Sequence, residues 1–340
     1  MHRSAPARIL IGMSESRDAL AERIDVLPVA EHFRAGRFFN PGVKENGFFE
    51  ALKWMRNRKI GPWQSWIDST PGPKPPDQVD GSALRVTWVN HSTVLLQTEG
   101  VNLLTDPVWS RRASPVQFTG PQRHRAPGIR FEDLPPIHCI LISHNHYDHF
   151  DVPTLKRLAA AHRPAVFCPL GLAKKLRGIG FGDVRELDWG QAQSWREMLI
   201  HSVPAQHFSA RTPFDRNRTL WCGWVVEGAH GKIYFAGDTG FGDLFAAIRE
   251  RFSSFRLALL PIGAYEPEWF MGPIHMTPEQ AVEARAILET STAIAIHFGT
   301  FALADDGETD PPERLRRALQ GRKDGEQFLL LEEGKGRLIS

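Results

Sequence analysis

Alternating runs of apolar and polar residues predict a series of strands that begins near residue 84. Four runs rich in Leu, Ile and Val are separated by Gly, Asn or Pro, the residues that favour turns: Leu84–Asn90, Ser92–Thr98, Val101–Pro107 and His138–His144. Each run has the length of a buried strand. This part of the chain therefore predicts a sheet.

Helical and strand patterns alternate along the rest of the chain. Val152–His162 and Leu172–Gly178 have the apolar spacing of helices. Further strands are predicted in MLIHSVPA, LWCGWVVEG, GKIYFAGD, RLALLPIG and TAIAIHF, and further helices in DLFAAIRERF and TPEQAVEARAILE. In the last of these, Thr277 is expected to cap the helix and Pro278 to be its first residue. Strands with intervening helices predict an α/β fold of layers (α+β layered), with two sheets inside and helices outside.

Residues 1–80 have a different pattern and predict an N-terminal extension of loops and short helices, packed on a main body at residues 81–340. The extension contains the Pro-rich tract Pro71–Asp77 and few alternating strands. Within it, Phe48–Trp66 interleaves Phe and Trp with Lys and Arg. That mixture suits the headgroup boundary of a lipid bilayer, and simple packing also explains it. The sequence leaves both interpretations open.

Composition and charge exclude several classes of protein. The chain is 42% hydrophobic and 24% charged, which is typical of a soluble globular protein. The 41 basic and 39 acidic residues give a net charge of +2, so nothing global indicates a nucleic-acid partner. No apolar run reaches the roughly 18 residues of a membrane span, and the three cysteines form no disulfide framework. We expect a cytoplasmic protein whose contact with a membrane would be peripheral.

The segment Ser143–Asp151, SHNHYDHFD, carries the clearest chemistry in the sequence. Four residues that can ligate a metal, His144, His146, Asp148 and His149, directly follow an apolar run. In an extended loop, residues two positions apart project the same way. His144 and His146 can therefore bind one ion while the other two side chains point elsewhere. The spacing predicts two neighbouring metal sites.

Three further candidates, His207, Asp238 and His297, each end an apolar run. Any one of them alone would be an ordinary core or loop residue, but together with the motif they complete a set of seven ligands. Asp106 and His91 are candidates to hold a ligand through a hydrogen bond, because a carboxylate that accepts the ring N–H of a histidine fixes its tautomer. An ordinary turn also explains each of these two residues.

The order HxHxDH, a lone His, Gly-Asp-Thr and a late His resembles the metal signature of the metallo-β-lactamase fold superfamily. The resemblance implies a four-layer αββα sandwich that binds two zinc ions, although iron and manganese also suit these ligands. It also implies a division of the ligands: one ion is held by His144, His146 and His207, the other by Asp148, His149 and His297, and Asp238 bridges the two.

A narrower resemblance, to the family of N-acyl-phosphatidylethanolamine-hydrolysing phospholipases D, covers most of the chain. It rests on blocks that include residues other than the ligands, namely WVNHSTVLLQ, LLTDPVWSRRASPVQFTGP, LPPIHCILISHNHYDHFD, PAQHFSART, FAGDTGFGD, PIGAYEPEWFM and IAIHFGTFALA. By this resemblance Tyr147 and His275 contact the acylethanolamine part of the ligand, and a homodimer is expected. Loop packing for Tyr147 and helix capping for His275 remain as alternatives.

The reaction implied by this resemblance is the hydrolysis of a phospholipid phosphodiester. Two divalent ions that share Asp238 and a water would lower the pKa of that water towards neutrality, and the hydroxide would attack phosphorus. Asp148 and Asp238 are the carboxylates expected to take part in catalysis. The expected products are an N-acylethanolamine and a phosphatidic acid. Arg111 and Arg112, with Phe48–Trp66, are candidates for the rim of the substrate entrance.

A soluble hydrolase of the same fold, acting on a sugar-phosphate lactone or a small phosphodiester, would use the same metal motif. The 59 positions between Asp238 and His297 leave no room for the inserted clamp domain of β-CASP nucleases, in agreement with the near-neutral charge. An iron-bearing redox protein of the flavodiiron kind would add a flavin domain, and none is visible after His297.

Overall fold

The structure is a computed structural model that describes residues 31–44 and 46–340, and these residues form sixteen strands and seven α-helices. The first eight strands are β1 (Phe33–Arg34), β2 (Arg37–Phe38), β3 (Leu84–Asn90), β4 (Thr93–Thr98), β5 (Val101–Thr105), β6 (Cys139–Leu141), β7 (Ala165–Pro169) and β8 (Val184–Leu187). The others are β9 (Ala192–Trp195), β10 (Met198–Val203), β11 (Gly223–Gly228), β12 (Gly231–Phe235), β13 (Leu257–Pro261), β14 (Thr292–Ile296), β15 (Phe328–Leu329) and β16 (Arg337–Ile339). The helices are α1 (Phe48–Arg56), α2 (Val152–His162), α3 (Ala173–Ile179), α4 (Leu244–Phe252), α5 (Glu268–Met271), α6 (Pro278–Leu288) and α7 (Asp310–Leu319).

Two seven-stranded sheets form the centre of the fold. One has the strand order β16-β3-β4-β5-β6-β7-β8, and the other has the order β15-β14-β13-β12-β11-β10-β9. Pairing is parallel from β5 to β8 in the first sheet and from β12 to β15 in the second. Parallel strands end at the same edge of a sheet. The loops that follow β5, β6, β12 and β14 therefore meet at one edge of the molecule.

Three apolar layers separate the sheets and the helices. Side chains alternate along each strand, so that Leu96 of β4 faces the space between the sheets, where it belongs to the same buried cluster as Trp224 of β11, whereas Leu95 faces outwards. On the outer side of the first sheet, Leu95 shares a cluster with residues of α2 and α3, including Leu155. On the outer side of the second sheet lie residues of α4, α6 and α7, including Leu288. The order helix, sheet, sheet, helix confirms the predicted layered fold.

The predicted start of the helix α6 is confirmed by its cap. The hydroxyl of Thr277 accepts the backbone N–H of Gln280 at 3.2 Å, and Pro278 occupies the first helical position. Proline tolerates that position because its missing N–H would have no partner inside the helix.

The predicted strand His138–His144 is shorter in the structure, where β6 covers only Cys139–Leu141. The backbone N–H of Ser143 donates to Oδ1 of Asp106 at 2.7 Å instead of to a neighbouring strand. This side-chain acceptor ends the strand and starts the loop of the metal motif.

The described part of the first 80 residues lies along the two sheets. Phe38 is part of the apolar layer between them, and Nε2 of His32 lies 2.7 Å from Oδ1 of Asp188. Farther along, the N–H of Gly61 donates to the carbonyl oxygen of Asp305 at 2.7 Å. The division of the chain at residue 80 stays a prediction. Within residues 31–44 and 46–340, no helix combines the length and hydropathy that a bilayer span requires.

Candidate metal centre

The candidate metal centre lies where loops from both sheets meet. From the first sheet come Asp106, directly after β5, and the segment Ser143–Asp151, shortly after β6. From the second sheet come His207 after β10, Asp238 after β12 and His297 directly after β14. The structure therefore brings the seven predicted ligands, which are far apart in sequence, to one edge of the fold.

His144, His146 and His207 form one group of ligand atoms. Nε2 of His144 and Nδ1 of His146 lie 2.8 Å apart, and Nε2 of His207 lies 3.2 Å from the same Nδ1. Three imidazole nitrogens at this spacing can bind one divalent ion. This is the set that the resemblance to the superfamily assigned to the first metal.

Asp148, His149 and His297 form a second group, which His91 joins. Oδ2 of Asp148 lies 3.1 Å from Nε2 of His149 and 3.5 Å from Nε2 of His297. The ring of His91 donates a hydrogen bond from Nε2 to the same oxygen at 2.8 Å. His91 therefore holds the carboxylate of Asp148 in place. The sequence made His91 a candidate for this role, that of holding a ligand through a hydrogen bond.

Asp238 lies between the two groups. Its Oδ2 is 3.1 Å from Nε2 of His149 and 3.0 Å from Nε2 of His297. The same oxygen is 3.9 Å from Nε2 of His144 and 3.7 Å from Nε2 of His207. One carboxylate oxygen thus approaches ligand atoms of both groups, which is the position expected of a bridging ligand.

Hydrogen bonds behind the ligands determine which ring nitrogen His149 and His207 present. Oδ2 of Asp106 accepts from Nδ1 of His149 at 2.6 Å, and the carbonyl oxygen of Ile274 accepts from Nδ1 of His207 at 3.0 Å. A histidine that donates its Nδ1 proton keeps the Nε2 lone pair for a metal. Asp106 also accepts the N–H and O–H of Ser143, at 2.7 and 2.5 Å. One carboxylate therefore orients both the ring of His149 and the start of the metal loop.

Three residues of the centre have left-handed backbone conformations. The φ angle is 45° at His91, 31° at Asp106 and 60° at His297. For residues other than glycine, such conformations cost on the order of 1–3 kcal/mol each and persist only when the surroundings hold them. Here the N–H of His297 donates to the carbonyl oxygen of His91 at 2.9 Å, and the N–H of His91 donates to Oγ1 of Thr300 at 2.9 Å.

Burial keeps several of the histidines neutral, which is the form in which imidazole binds a metal. It lowers the pKa of His146 to about 4 and holds the pKa values of His144 and His207 well below their usual range. These three rings are the first group of ligands.

The second group holds opposite charges in contact. Burial raises the pKa of Asp148 and of Asp238, but the adjacent imidazoles of His149 and His297 outweigh it and hold both pKa values well below their usual range. Burial likewise lowers the pKa of the two histidines, but the carboxylates outweigh it, raising the pKa of His297 to about 9 and that of His149 well above its usual value. Two protonated rings therefore balance two carboxylates, and a bound cation would replace those protons.

The donor atoms fit a divalent cation better than they fit one another. Nε2 of His149, Nε2 of His297 and Oδ1 of Asp238 are buried without a hydrogen-bond partner. The two ring nitrogens lie within 3.1 Å of Oδ2 of Asp238, yet they form no hydrogen bond with it. Ligands at bond lengths of about 2.0–2.2 Å from one ion come this close to one another. The residues present therefore fit a metal, and zinc, iron and manganese all suit such donors.

A mostly apolar pocket of about 500 Å³ opens onto the centre. Its apolar wall combines Trp54 of α1 with Phe270, Met271, Ile274 and Leu303. The rings of Trp54 and Phe270 stack with their centroids 5.0 Å apart. Part of the segment Phe48–Trp66, a candidate for the rim of the substrate entrance, thus lines the pocket. Arg111 and Arg112 do not line it; Nη1 of Arg112 donates to the carbonyl oxygen of Gly120 at 2.6 Å.

The two residues expected to contact the acylethanolamine part of a ligand have different positions. His275 lines the pocket with its ring centroid 5.2 Å from that of His297, and its Nδ1 has no partner. Tyr147 lies outside the pocket lining. Its hydroxyl donates to the carbonyl oxygen of Arg211 at 2.9 Å, and the guanidinium of Arg211 lies 3.8 Å from its ring centroid.

Sequence reasoning missed Phe208, Arg216 and Phe270, which also line the pocket. The single local signal was that Phe208 directly follows the ligand His207. Nothing in the sequence places Arg216, nine positions after that ligand, on the same wall.

Comparisons with known proteins place the chain in a family and a fold. A model of the beta-lactamase superfamily domain matches residues 101–298. The chain is 41% identical over 256 residues to N-acyl-phosphatidylethanolamine-hydrolyzing phospholipase D 1 of Caenorhabditis elegans, covering 72% of each chain. It is 33% identical to the mitochondrial enzyme of that name from Saccharomyces cerevisiae, covering 73% of this chain and 55% of that one. A solved metallo hydrolase of the archaeon Ignicoccus hospitalis shares the fold at a TM-score of 0.57 and 21% identity, covering 76% of this chain and 99% of that one.

Replacing the bridging carboxylate should remove metal. We expect Asp238→Asn to retain about one divalent ion or fewer per chain after gel filtration, because a neutral amide cannot replace the charge of a carboxylate between two cations. Metal analysis and circular dichroism would measure content and folding. Asp243→Asn, an exposed position at the start of α4, is the matched control and should keep the wild-type content. Full occupancy in Asp238→Asn would contradict the bridging role.

Metal uptake should release protons. At pH 7 the metal-free protein holds a proton on His297, whose pKa is about 9, and on His149, whose pKa is also raised. Both rings must lose it to ligate, so we expect about two protons released per centre and an affinity that rises with pH up to about 9. Titration calorimetry of the metal-free protein with zinc, at pH 7 in buffers of different ionisation enthalpy, measures this number. Identical enthalpies in all buffers would contradict it.

Proposed function

The chain belongs to the metallo-β-lactamase fold superfamily and is a metal-dependent hydrolase, and on that premise we propose that it is a zinc-dependent phosphodiesterase of the phospholipase D type. The proposed substrate is N-acyl-phosphatidylethanolamine, and the proposed products are an N-acylethanolamine and a phosphatidic acid. The observation that carries the proposal is a centre of seven ligands at the end of an apolar pocket. Resemblance to phospholipases D of that specificity over 72% of the chain supports it.

The pocket suits a substrate with a long apolar part. Its volume of about 500 Å³ lies within the range of roughly 300–1,000 Å³ that ligand pockets occupy. Phe270, Ile274 and Leu303 supply an apolar wall, while the carboxylates of Asp148 and Asp238 stand at the reacting end. An acyl chain can be buried on the wall while the phosphodiester reaches the ligands. A small polar substrate would leave most of this wall without contact.

One zinc ion would be held by His144, His146 and His207, and the other by Asp148, His149 and His297. Asp238 would bind both ions. The two cations would supply positive charge for the phosphoryl oxygens and a water acidic enough to ionise near neutral pH.

The side chains of the protein hold the reactants in position. The ionised carboxylates of Asp148 and Asp238 accept hydrogen bonds from water and keep its oxygen directed at phosphorus. Burial lowers the pKa of His275 to about 3 and keeps its ring neutral, with Nδ1 available for a hydrogen bond to the substrate. The oxygen of water bonds to phosphorus, and the bond from phosphorus to the ethanolamine oxygen breaks. The ethanolamine oxygen takes up the proton that the water loses.

We also propose a peripheral contact with the membrane through the outer face of α1. Phe49, Leu52 and Met55 are 78%, 49% and 56% exposed, and Trp269 beside them is 49% exposed. Nζ of Lys53 lies 4.9 Å from the ring centroid of Trp269. Exposed apolar side chains next to a basic residue suit the boundary between lipid headgroups and acyl chains. Because Trp54 of the same helix lines the pocket, this face lies beside the proposed substrate path.

The proposed reaction can be tested directly. We expect zinc-loaded protein to release phosphatidic acid from N-acyl-phosphatidylethanolamine in mixed micelles. In water enriched in heavy oxygen, the label should enter the phosphatidic acid and not the N-acylethanolamine, because the attack is at phosphorus. Mass spectrometry of both products measures this. Hydrolysis of a sugar-phosphate lactone or a small phosphodiester without release of phosphatidic acid would instead favour the soluble alternative.

The proposed membrane contact predicts a selective defect. We expect Leu52→Glu to lower partition onto phospholipid vesicles about 10-fold, because the apolar contact of one Leu side chain is lost. Hydrolysis of substrate in vesicles should fall with it, while hydrolysis in detergent micelles should not change. Leu338→Glu, on the edge strand β16 where Leu338 is 67% exposed, is the matched control. Equal partition of both variants would contradict the contact.

A further inference from the structure

We infer that Arg211 positions the metal loop, residues 144–149, and through it the ligands of both ions. Nη1 of Arg211 donates to the carbonyl oxygens of Asn145 and Phe150, at 2.8 and 2.9 Å. Asn145 lies between two histidines of the first ligand group, and Phe150 directly follows His149 of the second. One nitrogen therefore ties both ends of the loop together. This role goes beyond the proposed reaction, because it concerns metal binding and not the substrate.

The two residues whose carbonyl groups bind Arg211 are buried, with exposed fractions of 3% for Asn145 and 0% for Phe150. Between them the chain turns back on itself. The N–H groups of His149 and Phe150 both donate to the carbonyl oxygen of His146, at 3.2 and 2.8 Å. A buried carbonyl group without a hydrogen bond is unfavourable. By donating to both carbonyl groups, Arg211 favours the one conformation of the loop that presents the ligands.

Tyr147 of the same loop contacts both the side chain and the backbone of Arg211. Its ring centroid lies 3.8 Å from Cζ of the guanidinium, and its hydroxyl donates to the carbonyl oxygen of Arg211 at 2.9 Å. Tyr147 lies between the ligands His146 and Asp148. A planar guanidinium can stack on an aromatic ring and still donate hydrogen bonds from its edge. Arg211 is thus attached to the metal loop at its start, its middle and its end.

The backbone of Arg211 belongs to the segment that carries His207. Arg211 lies four positions after that ligand. Its N–H donates to Oδ1 of Asp215 at 2.9 Å, and the same oxygen accepts the N–H of Thr212 at 2.7 Å. Arg211 therefore connects a ligand that follows a strand of the second sheet to the metal loop of the first sheet. A shift of its side chain would displace ligands of both ions.

The charge of Arg211 opposes metal binding, so the sign of a mutational effect separates the possible roles. A guanidinium near two divalent cations repels them, and its removal alone would strengthen metal binding. Loss of the hydrogen bonds to Asn145 and Phe150 would instead loosen the loop and weaken metal binding. A contribution to global stability alone would leave the metal affinity of the folded protein unchanged.

Competition between the metal-free protein and a chelator for zinc provides the test. We expect Arg211→Gln to weaken zinc binding about 10- to 100-fold, the range typical of groups that orient metal ligands. With cobalt in place of zinc, the visible absorption bands of this variant should shift, because the arrangement of the ligands around the ions changes. Circular dichroism would show that the variant is folded.

Arg218→Gln is the matched control, since Arg218 lies in the same loop between β10 and β11 and is exposed. It removes the same charge and should keep the zinc affinity and the cobalt spectrum of the wild type. Arg211→Lys retains the charge and N–H donors but not the planar group. Its zinc affinity should lie between those of the wild type and Arg211→Gln. If the Gln variant does not fold, Tyr147→Phe, which loses the hydrogen bond to the backbone of Arg211, should weaken zinc binding roughly 2- to 10-fold.

An unchanged or higher zinc affinity in Arg211→Gln would overturn the inference, as would an equal loss in Arg218→Gln or an Arg211→Lys variant that binds zinc no better than Arg211→Gln. If only Tyr147→Phe can be measured, an unchanged affinity has the same consequence. Failure of the proposed function is a separate result. It would appear as a zinc-loaded wild-type protein that does not cleave N-acyl-phosphatidylethanolamine, while the zinc titration would still decide the role of Arg211.

Discussion

The burial of two carboxylates among imidazoles is the constraint on which the rest of the site depends. Asp148 and Asp238 are buried and ionised, and their charge is balanced by His149 and His297 within 3.5 Å. Removing carboxylates from water is costly unless positive charge stands beside them. The arrangement that stabilises the buried carboxylates without a metal therefore also makes the centre a strong binding site for divalent cations. Every further feature of the site positions these charges or gives a substrate access to them.

The fold supplies that positioning through strand ends rather than through the loop alone. Asp106 after β5 fixes both the ring of His149 and the backbone of Ser143, while Asp238 and His297 arrive from the other sheet. The left-handed backbone at His91 and His297 is unfavourable locally and persists because hydrogen bonds between the two sheets hold it. The two sheets thus set the distance between the ligand groups more firmly than a flexible loop could.

Much of the centre could be predicted from the sequence, because each ligand is either in one short motif or at the end of an apolar run. The layered fold followed from the same runs. Most of the pocket wall could not be predicted, since Phe208, Phe270 and Leu303 come together beside Trp54 only through tertiary packing. A short apolar run also cannot show where hydrogen bonding to a side chain will end a strand, which is why β6 was predicted too long. For the segment Phe48–Trp66, the sequence left both packing and lipid contact open as interpretations. In the structure, one side of its helix lines the pocket and the other side is exposed.

The position of α1 matters for how an insoluble substrate would reach the metals. Transferring an acyl chain from a bilayer into water costs about 0.8 kcal/mol per methylene, so a long chain cannot cross an aqueous gap on the way to the site. A phospholipase D therefore needs an apolar surface that is continuous from the membrane to the reacting phosphodiester. Here the exposed face with Phe49 and Leu52 and the pocket wall with Trp54 belong to one helix, and Phe270 continues that wall towards His275. The apolar wall lowers the cost of moving the chain, and the charged centre with Asp148 and Asp238 lies at its end.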